Sequence, residues 1–442
     1  MNLDAHQRLI AIPMLALARA VYLLGALALS LPASAGAVSF FRGDFPVGTN
    51  PTSVAVGDFN GGPPDLAVAN EGTDDVSILF GNGFGQFTAA APVSVGDAPS
   101  SIVAGSFNGD AFTDLAVASV GDDNITIRLG DGAGAFTGTG TVSTGTNSGP
   151  RAIAVGDFND DGKTDLVSAN NGSSTVSIHL GDGMGGFAAD ATPCTSLCAA
   201  ADNPVAIAVG RFDDIPAGTP DPTLDAIVAS QTDDQVLVLF GDDTGEFTGS
   251  QTTYTAATSM TDPNPSALAV GSLNPDFNSE PDLLVANQNP DQVWPGYGIV
   301  GGGGFSYGGV LATGTDPVAV AMGDLDGDGD DDGISANSGT ATAIISNGGG
   351  GTAVDTSTQV GTSPRDVETG AFDGDGKADV AVANNGSNSV TVLTSLPPGQ
   401  PVSVPPPGKA AKKKCKKPRK KAKKGASAAA KKKKCKKKKK RK

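Results

Sequence analysis

Histidine, tryptophan, glutamate and long apolar runs are all scarce in this chain of 442 residues. It has two His and one Trp, and aromatic residues make up 5%. Glutamate occurs only at Glu71, Glu246, Glu280 and Glu368, so Asp supplies nearly all the acid. Glu favours helices, whereas Asp favours turns and metal loops. With 61 Gly, this balance predicts an all-β protein rich in turns. The shortage of His also removes most general acid–base chemistry. His6 lies near the N-terminus, and His179 sits in "TVSIHLG" as a strand residue, packed or partly exposed. No Ser-His-Asp, His-Glu-x-x-His or Cys-His set can be assembled. Paired Asp residues abound, and a glycosidase or lyase pair among them is the one enzymatic alternative.

The only long apolar run, "AVYLLGALALSL" (20–31), follows Arg8 and Arg19 and precedes "PASAGA". Small residues at Ala33 and Ala35 suit a cleavage site, so residues 1–37 read as a signal peptide. An uncleaved anchor is the alternative, although the run is short for a span. Cysteines are few. Cys194 and Cys198 in "PCTSLC" predict a local disulfide in an oxidising compartment. A zinc site there lacks further ligands. Cys415 and Cys435 lie in the tail, and the sequence leaves their redox state open.

The net charge of −16 combines two opposite segments. Residues 409–442 hold 22 Lys and Arg and no acid, whereas 38–396 hold 7 basic and 46 acidic residues. "LPPGQPVSVPPPG" (396–408) reads as a semi-rigid spacer (397–408 as a domain boundary), and the Lys-rich tail beyond it as disordered. A secreted or cell-envelope location turns the tail towards anionic cell-wall polymers or a membrane surface rather than nucleic acid.

Self-comparison carries the fold. A Pro opens a short apolar alternation at Pro51, Pro99, Pro150, Pro204, Pro265, Pro317 and Pro364. Each is followed by a second strand such as "DLAVAN", a third such as "DVSILFGNG", and a Gly-rich turn into a fourth. Seven units of about fifty residues predict a seven-bladed β-propeller of four-stranded blades over 38–396. An open solenoid would want polar capping units. The last repeat stops at its third strand (390–396), while "VSFFRGDFPVG" (38–48) precedes the first Pro. The N-terminal strand is therefore expected to complete the last blade and remove exposed edges. The "RGD" at Arg42–Asp44 falls in that strand, which argues against an adhesive role.

Each repeat carries a loop between its first two strands. In "GDFNDDGKTDL", Asp157, Asn159, Asp161, Lys163 (through its carbonyl) and Asp165 offer alternating oxygens around Gly162. Alternate oxygens with a Gly at the sixth position suit a hard cation, calcium rather than magnesium. The sixth repeat matches with Asp324, Asp326, Asp328, Asp330 (carbonyl) and Asp332. The seventh keeps Asp373, Asp375 and Asp379. The second keeps Ser106, Asn108, Asp110 and Asp114 without the Gly. An Asx-rich turn without metal is the alternative for each.

The repeat "VAVGDFNDDGKTDLVSANNGSSTVSIHLGDGMGGF" resembles the FG-GAP/VCBS repeat family, which builds the seven-bladed head of integrin α subunits. The resemblance implies the propeller and says little of function. The sequence reading is an exported binding or adhesion module for glycan or protein, with structural calcium and a retaining tail. Its binding surface is expected on the face opposite the Asp loops, at "ANEGTDDV", "SVGDDNI", "SQTDDQV" and "ANNGSNSV". The alternative is a secreted polysaccharide hydrolase or lyase.

Overall fold

The structure, a computed structural model, describes residues 40–395 except 189–201, 213–222, 243, 256–263, 274–280, 300–304, 308, 341 and 347–355. The signal-like run, both cysteine pairs, the spacer and the tail lie outside these residues. The chain divides into two units, Met1–Val402 and Ser403–Lys442. No described helix is long and apolar enough to cross a membrane.

Seven small antiparallel sheets form a propeller. The leading strands, Pro51–Gly57, Pro99–Gly105, Pro150–Gly156, Pro204–Gly210, Pro265–Gly271, Pro317–Gly323 and Pro364–Gly370, neighbour one another around the axis. The second strands, from Asp65–Asn70 to Asp379–Asn384, are buried throughout except at the half-buried Gln288. Their continuous apolar runs, such as "DLAVAN", reflect burial on both sides of the sheet. Third strands follow at Asp75–Gly81, Asn124–Gly130, Thr175–His179, Gln235–Gly241, Asp291–Gly298, Thr342–Ser346 and Ser389–Ser395.

The outer strands are less regular. Phe136–Ser143, Phe247–Thr255 and Thr356–Gln359 each complete a blade. The first blade's outer strand is broken into Phe87–Ala89 and Val93–Ser94, and the fifth's into Phe305–Tyr307 and Leu311–Ala312. In the third, only a bridge between Gly181 and Phe187 is described. The last blade is completed by Phe40–Pro46, paired in register from Phe40 with Ser395 to Pro46 with Ser389. This is the closure that the missing fourth strand of the last repeat predicts. Within that strand Arg42 and Asp44 bond each other at 2.9 Å, and Thr391 donates to Asp44 at 2.8 Å. The RGD tripeptide is thus held flat in the sheet.

No blade has a core of its own. The seven hydrophobic clusters each combine residues of two neighbouring blades, for example Phe158 and Val176 with Ile207 and Leu237. The Phe of "GDFN" is the tooth of this packing. Phe59, Phe107, Phe158 and Phe212 meet Phe136, Phe187, Phe247 and Phe305 of the next blade, at centroid distances of 5.5, 5.6, 6.2 and 5.7 Å. Phe372 closes the ring on Phe87 at 5.5 Å. Such pairs add roughly 0.5–1.5 kcal/mol each beyond the area they bury. In blades five and six, Leu273 and Leu325 take this buried place.

Candidate functional site

The Asp that begins each second strand is the least exposed acid of its repeat. Asp65, Asp114, Asp165, Asp225 and Asp379 are all 0% exposed. One carboxylate oxygen accepts the amide of the tooth residue, as from Phe158 to Asp165 at 2.9 Å. The other accepts the amide at the end of the third strand, as from Gly181 at 2.7 Å. Asp65, Asp114 and Asp225 bond Phe59 and Gly81, Phe107 and Gly130, and Phe212 and Gly241 in the same way. Asp379 bonds Phe372 and Ser395. This staple ties the first hairpin to the third strand in every blade where both bonds are described. A Cβ on Gly81 or Gly181 would come within 2.1 or 2.2 Å of the carbonyl oxygen of Pro64 or Thr164, so only Gly fits there. The final position of the metal pattern therefore has a structural task even without metal.

The remaining loop acids differ between repeats. In the sixth, Asp324, Asp326 and Asp332 each bring a carboxylate oxygen within 4.8 Å of the others, the one such group of three among the described residues. Gly329, at φ +98°, makes the sharp turn. The loop amides of Gly327 and Gly329 point at Asp324, and those of Asp328 and Asp330 at Asp326 and Asp328. Burial raises the Asp326 pKa, and the charges of Asp328 and Asp324 raise it further. The donor set fits a calcium ion: hard oxygens, clustered around one point. Asp324, Asp326 and Asp332 would hold it, and the ion would supply positive charge to the loop. Lys377 of the seventh blade reaches the Asp326 carbonyl.

The third repeat is not arranged this way. Lys163 folds its ammonium back onto Asp161 at 2.8 Å. That contact holds the Asp161 carboxyl below its usual range. Asp157 accepts the amides of Asp161 and Gly162 at 3.1 and 2.8 Å, and Asn159 that of Asp161 at 3.2 Å. In the second repeat Ser106 donates to the Asp110 carbonyl, and Asn108 and Asp110 bond each other, at 3.0 and 2.8 Å. In the seventh, Asp375 accepts from Ser395 Oγ at 2.9 Å. Asp379 is pushed up to about 7 by burial, with the charges of Asp373 and Asp375 adding to it.

The opposite face is more tightly used than its composition implies. In all seven blades the residue after the second strand donates its amide to the residue before the leading Pro, for example Glu71 to Asn50 at 3.0 Å and Asn385 to Ser363 at 3.0 Å. That pre-proline residue always has positive φ. The acids of the second-to-third-strand turns cap the incoming segment of the next blade. Asp74 accepts from Ala98, Asp123 from Asn147 and Gly149, and Asp234 from Asn264, at 2.8–3.1 Å. The rim loops expected to bind ligand thus spend these carboxylates on joining blades.

An axial cavity of about 570 Å³ opens on this face, lined by leading-strand residues of all seven blades. Sequence reading missed it. The available signals were "PRDVETG" in the last repeat and "PRAIAVG" in the third, which place charges in a strand that is elsewhere apolar or hydroxylic. Asp366 accepts the Val54 amide across the ring-closing seam at 2.9 Å. Burial, then the charge of Asp366, pushes Glu368 up to about 8. No His, Cys or Lys lines the cavity. His179 lies elsewhere, 0% exposed, with Nε2 3.1 Å from Ser168 Oγ and Nδ1 unpartnered. Burial lowers its pKa to about 4.

Comparisons with known proteins agree with this architecture. An FG-GAP-like repeat model matches residues 107–168, 157–214 and 324–382. No curated protein matches the sequence significantly. Among solved structures, BBS1N in complex with ARL6DN superposes with TM-score 0.56 at 15% identity, over 83% of this chain and 99% of that one. A streptogramin B lyase gives 0.54 at 12%, over 81% and 98%. A Lactobacillus plantarum protein gives 0.52 at 17%, over 72% and 87%. At such identities the likeness is one of fold. The matched repeats lie in a ring whose other blades repeat the same buried tooth, and the chain is a β-propeller carrying FG-GAP-like repeats.

Proposed function

We propose that the chain is an exported, calcium-stabilised propeller that binds glycan or protein without catalysis, and that its basic tail retains it at the cell envelope. The observation that carries the binding reading is the axial cavity. Its volume is that of a small-ligand pocket, roughly 300–1,000 Å³. The hydroxyls lining it have no His, Lys or Cys beside them to serve as base or nucleophile. Calcium rests on the three converging carboxylates of the sixth loop. Its role is to offset their repulsion and pin the hairpin. The tail's 22 basic residues suit anionic wall polymers or lipid headgroups.

A glycan array on the full chain, run beside reducing-sugar release, tests the reading. Array binding without sugar release is the expected result, and turnover would replace it. Retention on cell walls should fall with salt and be lost on deleting 409–442. The second reading, a polysaccharide hydrolase or lyase, is favoured by Asp366 and Glu368. A carboxyl titrating near neutrality beside a second acid suits general acid chemistry. Sugar release abolished by Glu368→Gln would establish it.

A further inference from the structure

Two guanidinium groups in the axial cavity have nothing to bind. Arg151 and Arg365 occupy the same register position, directly after the leading Pro, in blades three and seven. These blades lie on nearly opposite sides of the ring. In three other blades this position is a hydroxyl that ties to the next blade's Pro carbonyl. Thr52 reaches Pro99 at 2.8 Å, and Ser100 and Ser266 reach Pro150 and Pro317 at 2.7 Å. Where Arg replaces the hydroxyl, an Asn from the following turn makes the tie instead. Asn171 donates to Pro204 at 3.1 Å and Asn385 to Pro51 at 3.3 Å. The arginines are therefore free of the ring's own bonding.

Both side chains line the cavity, and they are its only cations among the described residues. Neither makes an ion pair or hydrogen bond with a described residue. Burial, then the charge of Arg365, holds the Arg151 guanidinium below its ordinary value, and Glu71 at the rim partly offsets this. Both are solvent-exposed within the channel, where two like charges facing one space repel each other. Deeper in lie the carboxyl groups of Asp366 and Glu368.

We propose that Arg151 and Arg365 form an oxyanion site at the mouth of the axial channel, receiving a carboxylate, sulfate or phosphate group of a small ligand. Guanidinium forks bind such groups bidentately and lose little freedom in doing so. The site stands independently of whether the rim binds glycan or the acid pair is catalytic.

The test is calorimetric titration of the full-length protein with glucuronate, inorganic sulfate and inorganic phosphate at constant ionic strength. The parent is compared with the Arg151→Gln/Arg365→Gln variant. The tail is the same in both, so the difference reports the channel. The expected result is one parent site that the double variant weakens on the order of tenfold or more. Without anion the double variant should melt higher, because the repulsion is gone, and it should gain less from added anion. A preference for glucuronate would assign an acidic sugar, and one for sulfate or phosphate an ester group. Superposable isotherms for all three anions would overturn the proposal. Should the double variant fail to fold, Arg151→Lys keeps the charge and loses the fork, and affinity equal to the parent's would overturn it likewise.

Discussion

Residues 157–165 in the third blade and 324–332 in the sixth carry the same spacing of oxygens around the same positive-φ glycine. Their electrostatics are opposite. In the third loop the residue after the glycine is Lys163, whose ammonium neutralises Asp161. In the sixth it is Asp330, and the carboxylates of Asp324, Asp326 and Asp332 converge. The pattern assigns only a backbone carbonyl to that position, yet its side chain decides whether the loop supplies its own cation. A metal motif must therefore be read for residues that compete with the metal as well as for its ligands.

The largest expected effect tests what the two loops share. Asp165→Ala strands the buried amides of Phe158 and Gly181, and Asp332→Ala that of Leu325, each at a cost of about 3 kcal/mol. In chelator, denaturant melts should show similar losses for both. In calcium, Asp332→Ala should lose more and Asp165→Ala should not, and equal losses would erase the distinction between the loops. Next comes calcium itself. At a hundredfold excess over Kd, a single site stabilises by about 2.7 kcal/mol. Scanning calorimetry should show the melt falling in EDTA. That shift should vanish in Asp324→Asn/Asp326→Asn and persist in Asp157→Asn/Asp161→Asn. An unchanged melt of the parent in EDTA, with no calcium by elemental analysis, rules out structural calcium. Lys163→Asp should make the third loop resemble the sixth and add one calcium to the titrated stoichiometry.

Protons should act on the third blade, as calcium is proposed to act on the sixth. Burial depresses the His179 pKa from 6.5 to about 4, so the unfolded chain binds the proton more readily. This group leaves stability intact above about 6.5 and reduces it as pH falls towards 4. The loss is about 1.4 kcal/mol per pH unit. His179→Leu should flatten that slope in denaturant titrations between pH 4 and 6.5, and an unaltered slope would contradict it. The smallest effect lies outside both blades. Ala98 holds a φ of +52° at the pre-proline position where Asn50, Asn203 and Asn264 stand in other blades. Ala98→Asn should stabilise by up to about 1 kcal/mol in the same melts.

Strand count, repeat boundaries and ring closure were legible because each rests on period and position. "VSFFRGDFP" could be matched to an absent fourth strand without any coordinates. The staple was half legible. Asp225 persists in a repeat whose loop opens with Arg211 in place of the first ligand, which a purely metal-binding role does not explain. The rim's bonding was not legible for a physical reason. Asp74, Asp123 and Asp234 look like solvated acids in sequence, but their partners are amides of the next blade, 24 to 30 residues on. The exchange of a hydroxyl at Ser100 for an arginine at Arg151, compensated by Asn171, was not legible. Neither residue announces the carbonyl over which they trade places.

The seam between Phe40–Pro46 and Ser389–Ser395 also sets an order of events. Its partners are the most distant in the chain, Phe40 against Ser395. The strand made first by the ribosome has no sheet to join until the last repeat has been made. Every other blade is assembled from residues close in sequence. Folding should therefore proceed as a row of quickly formed hairpins awaiting one slow, long-range zippering step. Until then Phe372, the last tooth, is apart from Phe87, the ring it packs against. In this protein the vulnerable interval is the wait for the ring's two ends to meet.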